Sequence, residues 1–420
     1  MRPSAHAPSA FWLRLMPVIL GILTAVGPVS TDIYLPAFPA LEHSFGTAAG
    51  SAQITLAVWF IGLACGQITQ GPFSDRFGRR LPLLLGGVLY TLASIGCALA
   101  HDLWSFTACR FIAALGASAA MVVPAATVRD VSEGAEAARK MSTLVLIMGV
   151  VPILAPAIGG VVLGFASWRV IFWAAAVYGV VCLALVWRVL PETLPHERRT
   201  ALPPVALLAR YLHIARDPQF STNAVIGGFS AFVCFAYLGG APGLFIRELH
   251  FSPTQFGVLF GMNAVAMIGA SQVNGLLVRR VGVSRLLRFA VAGTMAASLL
   301  LLAASLAGRA HPTAALFVAP VMLCLAPLGL VGPNATVGAL ARHAQHAGSA
   351  AALLGTLQYL LGAASGFIIG LLPGGTPLSM AGLMAAGALG MVLADRVRLR
   401  DERRHGTPSI DLSTAAMAVH

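Results

Sequence analysis

The stretch "GQITQGPFSDRFGRRLP", residues 66–82, stands between two long apolar runs and has a faint copy further along the chain, "ASQVNGLLVRRVGVSRL", residues 270–286. At an offset of 204 residues, Gly71 falls on Gly275, Arg76 on Arg280 and Gly78 on Gly282. Three matches alone are a weak signal. Their common placement, between the second and third apolar run of each half, makes them a repeat. A duplicated six-helix unit is the build of secondary transporters, whose substrate site lies between the two halves.

The rest of the chain fits that plan. Of its 420 residues 58% are hydrophobic and only 10% charged, against about a quarter charged in a soluble domain. Apolar stretches of about 20 residues, enough to cross a bilayer as helix, recur throughout. Twelve are expected, near 15–38, 51–72, 81–100, 103–127, 141–164, 168–190, 221–246, 254–278, 284–307, 312–340, 348–372 and 376–396. The first exceeds the ~7–15 residues of a signal-peptide core and no clean cleavage site follows it, so it is read as a retained helix. The fold class is an all-α membrane protein. A first half over 1–190 and a second over 221–396 are joined by a polar linker at 191–220, with a disordered tail at 397–420.

The net charge of +12 suggests nucleic-acid binding until its distribution is read. With the N-terminus placed inside and the loops assigned in alternation, 23 of the 27 Lys and Arg residues lie inside. Three, Arg169, Arg247 and Arg309, lie outside, and Arg110 remains within a span. This asymmetry orients a membrane protein with both termini cytoplasmic and argues against a nucleic-acid partner. The six cysteines fall in or beside apolar spans without metal-ligand spacing, so they read as small core residues and no metal is expected.

A charge near the bilayer centre costs roughly 2.5 kcal/mol or more, so it marks function until shown otherwise. Asp32, in "VGPVSTDIYLPAFP" (26–39), and Arg110 are the two such residues in this segmentation. The simplest arrangement places both in one aqueous cavity between the halves. A proton and a substrate that compete for one carboxylate cannot both hold it, and exchange follows. The competing reading makes Asp32 a structural carboxylate, satisfied by backbone donors freed at Pro28 and Pro36, and Arg110 a pin in the fourth helix. ATP is excluded as the direct power source: there is no GxxxxGK loop, and the chain has a single lysine, Lys140. An intramembrane enzyme would need a nucleophile or metal ligands at depth, and neither HExxH nor a nucleophile elbow occurs. A membrane sensor would need a signalling domain larger than the linker or tail.

At "GQITQGPFSDRFGRR" (66–80) the chain resembles the loop between helices two and three of the major facilitator superfamily. The resemblance implies a latch on the cytoplasmic side. Gly71 would allow close helix packing, Asp75 would pair near a neighbouring helix end and Gly78 would make the turn. Arg76, Arg79, Arg80 and Arg129 would complete the group. "STDIYLPAFP" (30–39), "CRFIAALGASAAMVVPAATVRD" (109–130), "SPTQFGVLFGMNAVAMIGASQVN" (252–274) and "GSAAALLGTLQYLLGAASG" (348–366) resemble the bicyclomycin/chloramphenicol (Bcr/CflA) resistance branch of the drug:proton antiporters. This likeness covers about 12–396. "GVVPILAPAIGG" (149–160) resembles the antiporter signature of helix five through Pro152, Pro156, Gly159 and Gly160, although Ala155 stands where a glycine is usual.

The resemblance implies the major facilitator fold and export of small apolar or amphipathic drugs across the bacterial inner membrane by alternating access. The proton gradient would drive it with no cofactor, and the partners would be the drug, protons and the lipid bilayer, with the carrier a monomer. Asp32 and Arg110 would couple the proton. They would share a pocket with Tyr34, Trp59, Phe60, Met148, Pro152, Tyr237, Asn334, Gln358 and Tyr359, which fall in the spans lining this superfamily's cavity. The alternative within the class is an exporter of an endogenous metabolite such as an amino acid or sugar, which more polar lining residues would favour.

Overall fold

The structure is a computed structural model, and it describes residues 10–199, 203–308, 313–372 and 376–405. Arg309 and the tail from 406 lie outside the described residues. Among the described residues there are twelve helices long and apolar enough to cross a membrane and no strand. Helices suit that solvent because they satisfy every backbone N–H and C=O internally. They are α1 (Leu15–Phe45), α2 (Ala52–Phe77), α3 (Arg80–Leu99), α4 (Leu103–Val131), α5 (Arg139–Leu163), α6 (Arg169–Arg188), α7 (Pro218–Glu248), α8 (Pro253–Val281), α9 (Val283–Ala307), α10 (Ala314–Leu340), α11 (Ala347–Leu371) and α12 (Pro377–Arg404). A shorter amphipathic helix, Pro204–Arg216, lies in the linker between α6 and α7.

The repeat is written in the backbone. α2 ends at Gly78 with φ +91°, and α8 ends at Gly282 with φ +85°. Each glycine N–H closes the last turn, donating to the Ser74 carbonyl at 3.0 Å and the Val278 carbonyl at 2.9 Å. Only glycine adopts that left-handed conformation without strain. The halves meet chiefly through α2 against α11 and α5 against α8, a pairing that maps onto itself when the halves are exchanged.

Two spans depart from expectation. α1 continues past residue 38 to Phe45, but as a broken helix: Val26–Asp32, a 3-10 turn at Leu35–Ala37, then Phe38–Phe45. The tail was expected to begin disordered at 397, yet α12 continues through that point. Arg398 binds Asp395 at 2.6 Å and Glu402 at 2.6 Å, and donates to the Ser284 hydroxyl at 2.9 Å, which ties the helix end to the start of α9. A charged end read as solvated is a buried ionic knot.

The two ends of the bundle differ. At the end away from the linker, here the distal end, the halves touch. A Cβ on Gly160 would strike the Pro253 carbonyl, and one on Gly257 would lie 2.5 Å from the Pro156 carbonyl oxygen. Gln53 on α2 donates to the Gly239 carbonyl on α7 at 3.0 Å. At the linker end the halves part around a cavity of about 660 Å³, lined by α2, α4, the linker helix and the start of α11.

Candidate functional site

A second cavity, of about 220 Å³, lies at the centre of the bundle, and Met121 lines both. Its wall is apolar and aromatic. Phe60 stacks on Phe235 with ring centroids 3.8 Å apart and planes 4° from parallel, and Tyr359, Tyr237, Phe260, Met148 and Met267 complete much of the lining. Such surfaces of rings and flexible thioethers suit apolar ligands of varied shape. Pro152 of the helix-five signature also lines the cavity. Pro156, Gly159 and Gly160 lie beyond it, in contacts with α8 and with the Ile33 carbonyl of α1.

Asp32 lies on the wall of this cavity. It is the last residue of the segment Val26–Asp32, just before the break in α1, and is 5% exposed. Among the described residues it makes neither a hydrogen bond nor an ion pair. The backbone donors that the structural reading would require do not reach it. A buried carboxylate without partners is expensive to keep charged, so it is poised to take a proton.

Arg110 is not in that cavity, which corrects the shared-pocket expectation. Its guanidinium lies 4.1 Å from the Trp59 ring centroid, 4.4 Å from that of Tyr34 and 5.9 Å from that of Phe172. Ring faces attract the cation. Its Nε and Nη2 make no hydrogen bond, and beside it is a void of about 10 Å³ lined in part by Ser30, Tyr90 and Ser94. Tyr34 and Trp59 are therefore walls of the Arg110 cage and not of the central cavity. Two residues on from Asp32, Tyr34 points to the other side of α1, and its hydroxyl is 3.3 Å from that of Thr55.

Two further polar candidates also lie elsewhere. Asn334 donates to Asn274 at 2.5 Å and to the Leu330 carbonyl at 2.8 Å, satisfied between α8 and α10. Gln358 packs against Gly227. A polar residue that does line the cavity, along with Asp32 and Thr31, is Asn263, 2% exposed, whose Nδ2 donates to the Tyr237 hydroxyl at 2.9 Å and whose Oδ1 has no partner. Asn263 is also a polar residue within an apolar run, "GMNAVAM", and the rule that singled out Asn334 points equally to it.

The loop at 66–82 forms an ionic cluster within the first half. Arg79 binds Asp75 at 2.6 Å and Asp130 at 2.8 Å and donates to the Ser74 hydroxyl at 2.8 Å. Burial works against its charge, but the hydrogen bonds to Asp130 and Asp75 outweigh it and the net pKa shift is upward. Glu192, just beyond α6, accepts from the backbone N–H of Arg79 at 2.8 Å and of Arg80 at 3.2 Å. The Arg80 side chain reaches the Trp187 carbonyl. Asp75 pairs with Arg79 of its own half, and the space beside Gly71 is open, with no atom within 4 Å of a Cβ placed there. The expected close packing at Gly71 is absent because the cavity at the linker end separates the halves there. Arg76 lies over the Phe77 ring at 5.2 Å, and Arg129 lines the same cavity.

The distal end holds a pair that the sequence reading missed. Glu42 on α1, 5% exposed as a side chain, binds Arg247 on α7 at 2.5 Å and accepts from the N–H of Gly50 at 2.8 Å and of Ala52 at 3.2 Å. Ending the first span at 38 left Glu42 in a loop, where a carboxylate draws no notice.

The profile of the Major Facilitator Superfamily matches residues 20–367. The chain is 30% identical over 375 residues to a bicyclomycin resistance protein homolog of Haemophilus influenzae, covering 89% of this chain and 94% of that one. It is 32% identical over 396 residues to a chloramphenicol resistance protein of Pseudomonas aeruginosa, covering 91% and 90%. Among solved structures, a bacterial homolog of the human lysosomal transporter Spinster, inward-facing and occupied, superposes with a TM-score of 0.75 at 15% identity, covering 94% of this chain and 98% of that one. Twelve spans, two matched halves, a buried cavity between them and a profile that covers most of the length agree: the chain is a multi-pass membrane transporter, not an enzyme, and it belongs to the Major Facilitator Superfamily.

Proposed function

We propose that the protein is a proton-coupled antiporter that exports small, largely apolar drugs across the bacterial inner membrane by alternating access. The termini are cytoplasmic, so the open linker end faces the cytoplasm. The observation that carries this reading is Asp32: a buried carboxylate with no protein partner on the wall of an otherwise apolar cavity. Drug entering from the cytoplasm favours the proton-free carboxylate. A proton from the other side then resets it. The names of the two relatives support drugs as the cargo, and the aromatic wall suits them better than sugars or amino acids, which need a more polar lining. The carrier acts as a monomer and needs no cofactor beyond the proton gradient.

The test is uphill transport in proteoliposomes with an imposed pH gradient. Asp32→Asn keeps the shape and removes the titration, so it should abolish accumulation against a gradient while leaving downhill exchange. Accumulation equal to wild type would rule Asp32 out as the coupling site.

A further inference from the structure

We propose that Asn263 is the specificity-determining polar contact of the central cavity, accepting a hydrogen bond from an O–H or N–H on the cargo. The preferred substrates are then ring-bearing apolar molecules that carry at least one such donor, and not apolar molecules in general. This rests on the reading of the cavity as the drug site.

Three observations converge on it. Asn263 is 2% exposed, yet its side chain lines the cavity. Its Nδ2 donates to the Tyr237 hydroxyl at 2.9 Å. Its Oδ1 has no partner. A buried acceptor left unpaired carries a standing penalty, and a ligand that supplies the missing donor removes it. A ligand that cannot supply it leaves the penalty in place, which is how a buried polar group rejects an analogue lacking one hydrogen. Phe60, Phe235 and Phe260, by contrast, act on ring surface and cannot make that distinction.

Asp32 and Asn263 therefore divide the work. Asp32 titrates and answers to the proton; Asn263 cannot titrate and reads the cargo at every pH. Equilibrium binding to detergent-purified protein isolates the second role, because it needs no gradient, and a failure of proton coupling at Asp32 would leave it interpretable.

The probes are chloramphenicol and its N-methylated diacetate, which keeps the ring and loses both hydroxyl donors and the amide N–H. Wild type should bind the parent roughly 10- to 100-fold more tightly than the diacetate. Asn263→Leu should reduce that ratio to near one, chiefly by weakening the parent. The added bulk of the diacetate is common to both proteins and cancels in the comparison. Tyr237→Phe releases the amide without removing it and should reduce the ratio part of the way, so the proposal stays testable should the leucine variant fail to fold. A ratio unchanged in both variants would overturn it, as would a wild type that binds neither probe or both equally.

Discussion

Glu42 of the first half and Arg247 of the second meet across the distal mouth, Oε2 to Nη2 at 2.5 Å. The pair joins the two halves with that end shut. Glu42 is nearly buried and Arg247 about one-third exposed, so the pair lies between the surface and interior limits and contributes roughly 1–3 kcal/mol to this state. Glu42→Gln keeps the backbone N–H bonds of Gly50 and Ala52 within reach and removes the charge. It should raise the population closed at the linker end about tenfold. Spin labels at Val122 and Ser349, on opposite walls of the linker-end cavity, should report a larger short-distance fraction. An unchanged distance distribution would show that the pair does not bias the two states.

Asp32 predicts a pH law for binding. If cargo favours the proton-free carboxylate, binding releases a proton, and affinity for an uncharged drug rises with pH by at most about tenfold per unit for one site. In Asp32→Asn the slope should vanish. A slope that survives in the asparagine variant would assign the titration to another group.

The two C-capping glycines offer an internal control. Gly282→Ala meets only the conformational cost of positive φ with extended ψ, about 1–3 kcal/mol, because nothing lies within 4 Å of its Cβ. Gly78→Ala meets the same cost and also strikes the Glu192 carboxylate, which accepts two backbone N–H groups there. Its thermal midpoint in detergent should fall further than that of Gly282→Ala. Equal losses would show that the Glu192 bridge adds nothing.

Arg110 should respond to shape more than to charge. Arg110→Ala empties the cage of three rings and should cost about 2–5 kcal/mol, as other core truncations do. Arg110→Met fills the cage and removes two buried nitrogens without hydrogen-bond partners. It should melt at or above the wild-type temperature, since a buried charge replaced by well-packed apolar volume is often neutral or stabilising. A methionine variant as unstable as the alanine one would show that ring–cation attraction holds this region together.

Gly71 faces open space. Gly71→Leu should leave folding and drug binding from the linker side intact, yet slow turnover at least tenfold by propping that end open. Normal turnover would mean that closure never brings the second half near Gly71.

Much of the fold is legible in the sequence because its rules are local. Span length, polar punctuation and the 66–82/270–286 repeat each depend on neighbours in the chain. Asp32 is legible for the same reason: a carboxylate among apolar residues needs no structure to stand out. What surrounds it is not. Tyr34 is two residues from Asp32 but faces elsewhere, because residues two apart on a helix point to nearly opposite sides. Arg110 is satisfied by Tyr34, Trp59 and Phe172, which come from three other helices, and no spacing in α4 announces that. Glu42 was hidden by a span boundary drawn seven residues short, and α12 by the assumption that charges at a helix end are solvated.

The closed distal end has an electrical consequence. The linker end opens on a cavity that shares the Met121 wall with the central one, while at the other end backbones and side chains pack directly together. A voltage across the membrane therefore falls mainly over that packed layer and little over the open side. An elementary charge crossing it exchanges about 2.3 kcal/mol with the field for each 100 mV, and almost none while moving within the cavity. When the closed layer passes to the linker end, the same voltage acts on a different stretch of protein, so the steep part of the field moves past the contents of the cavity while they stay in place.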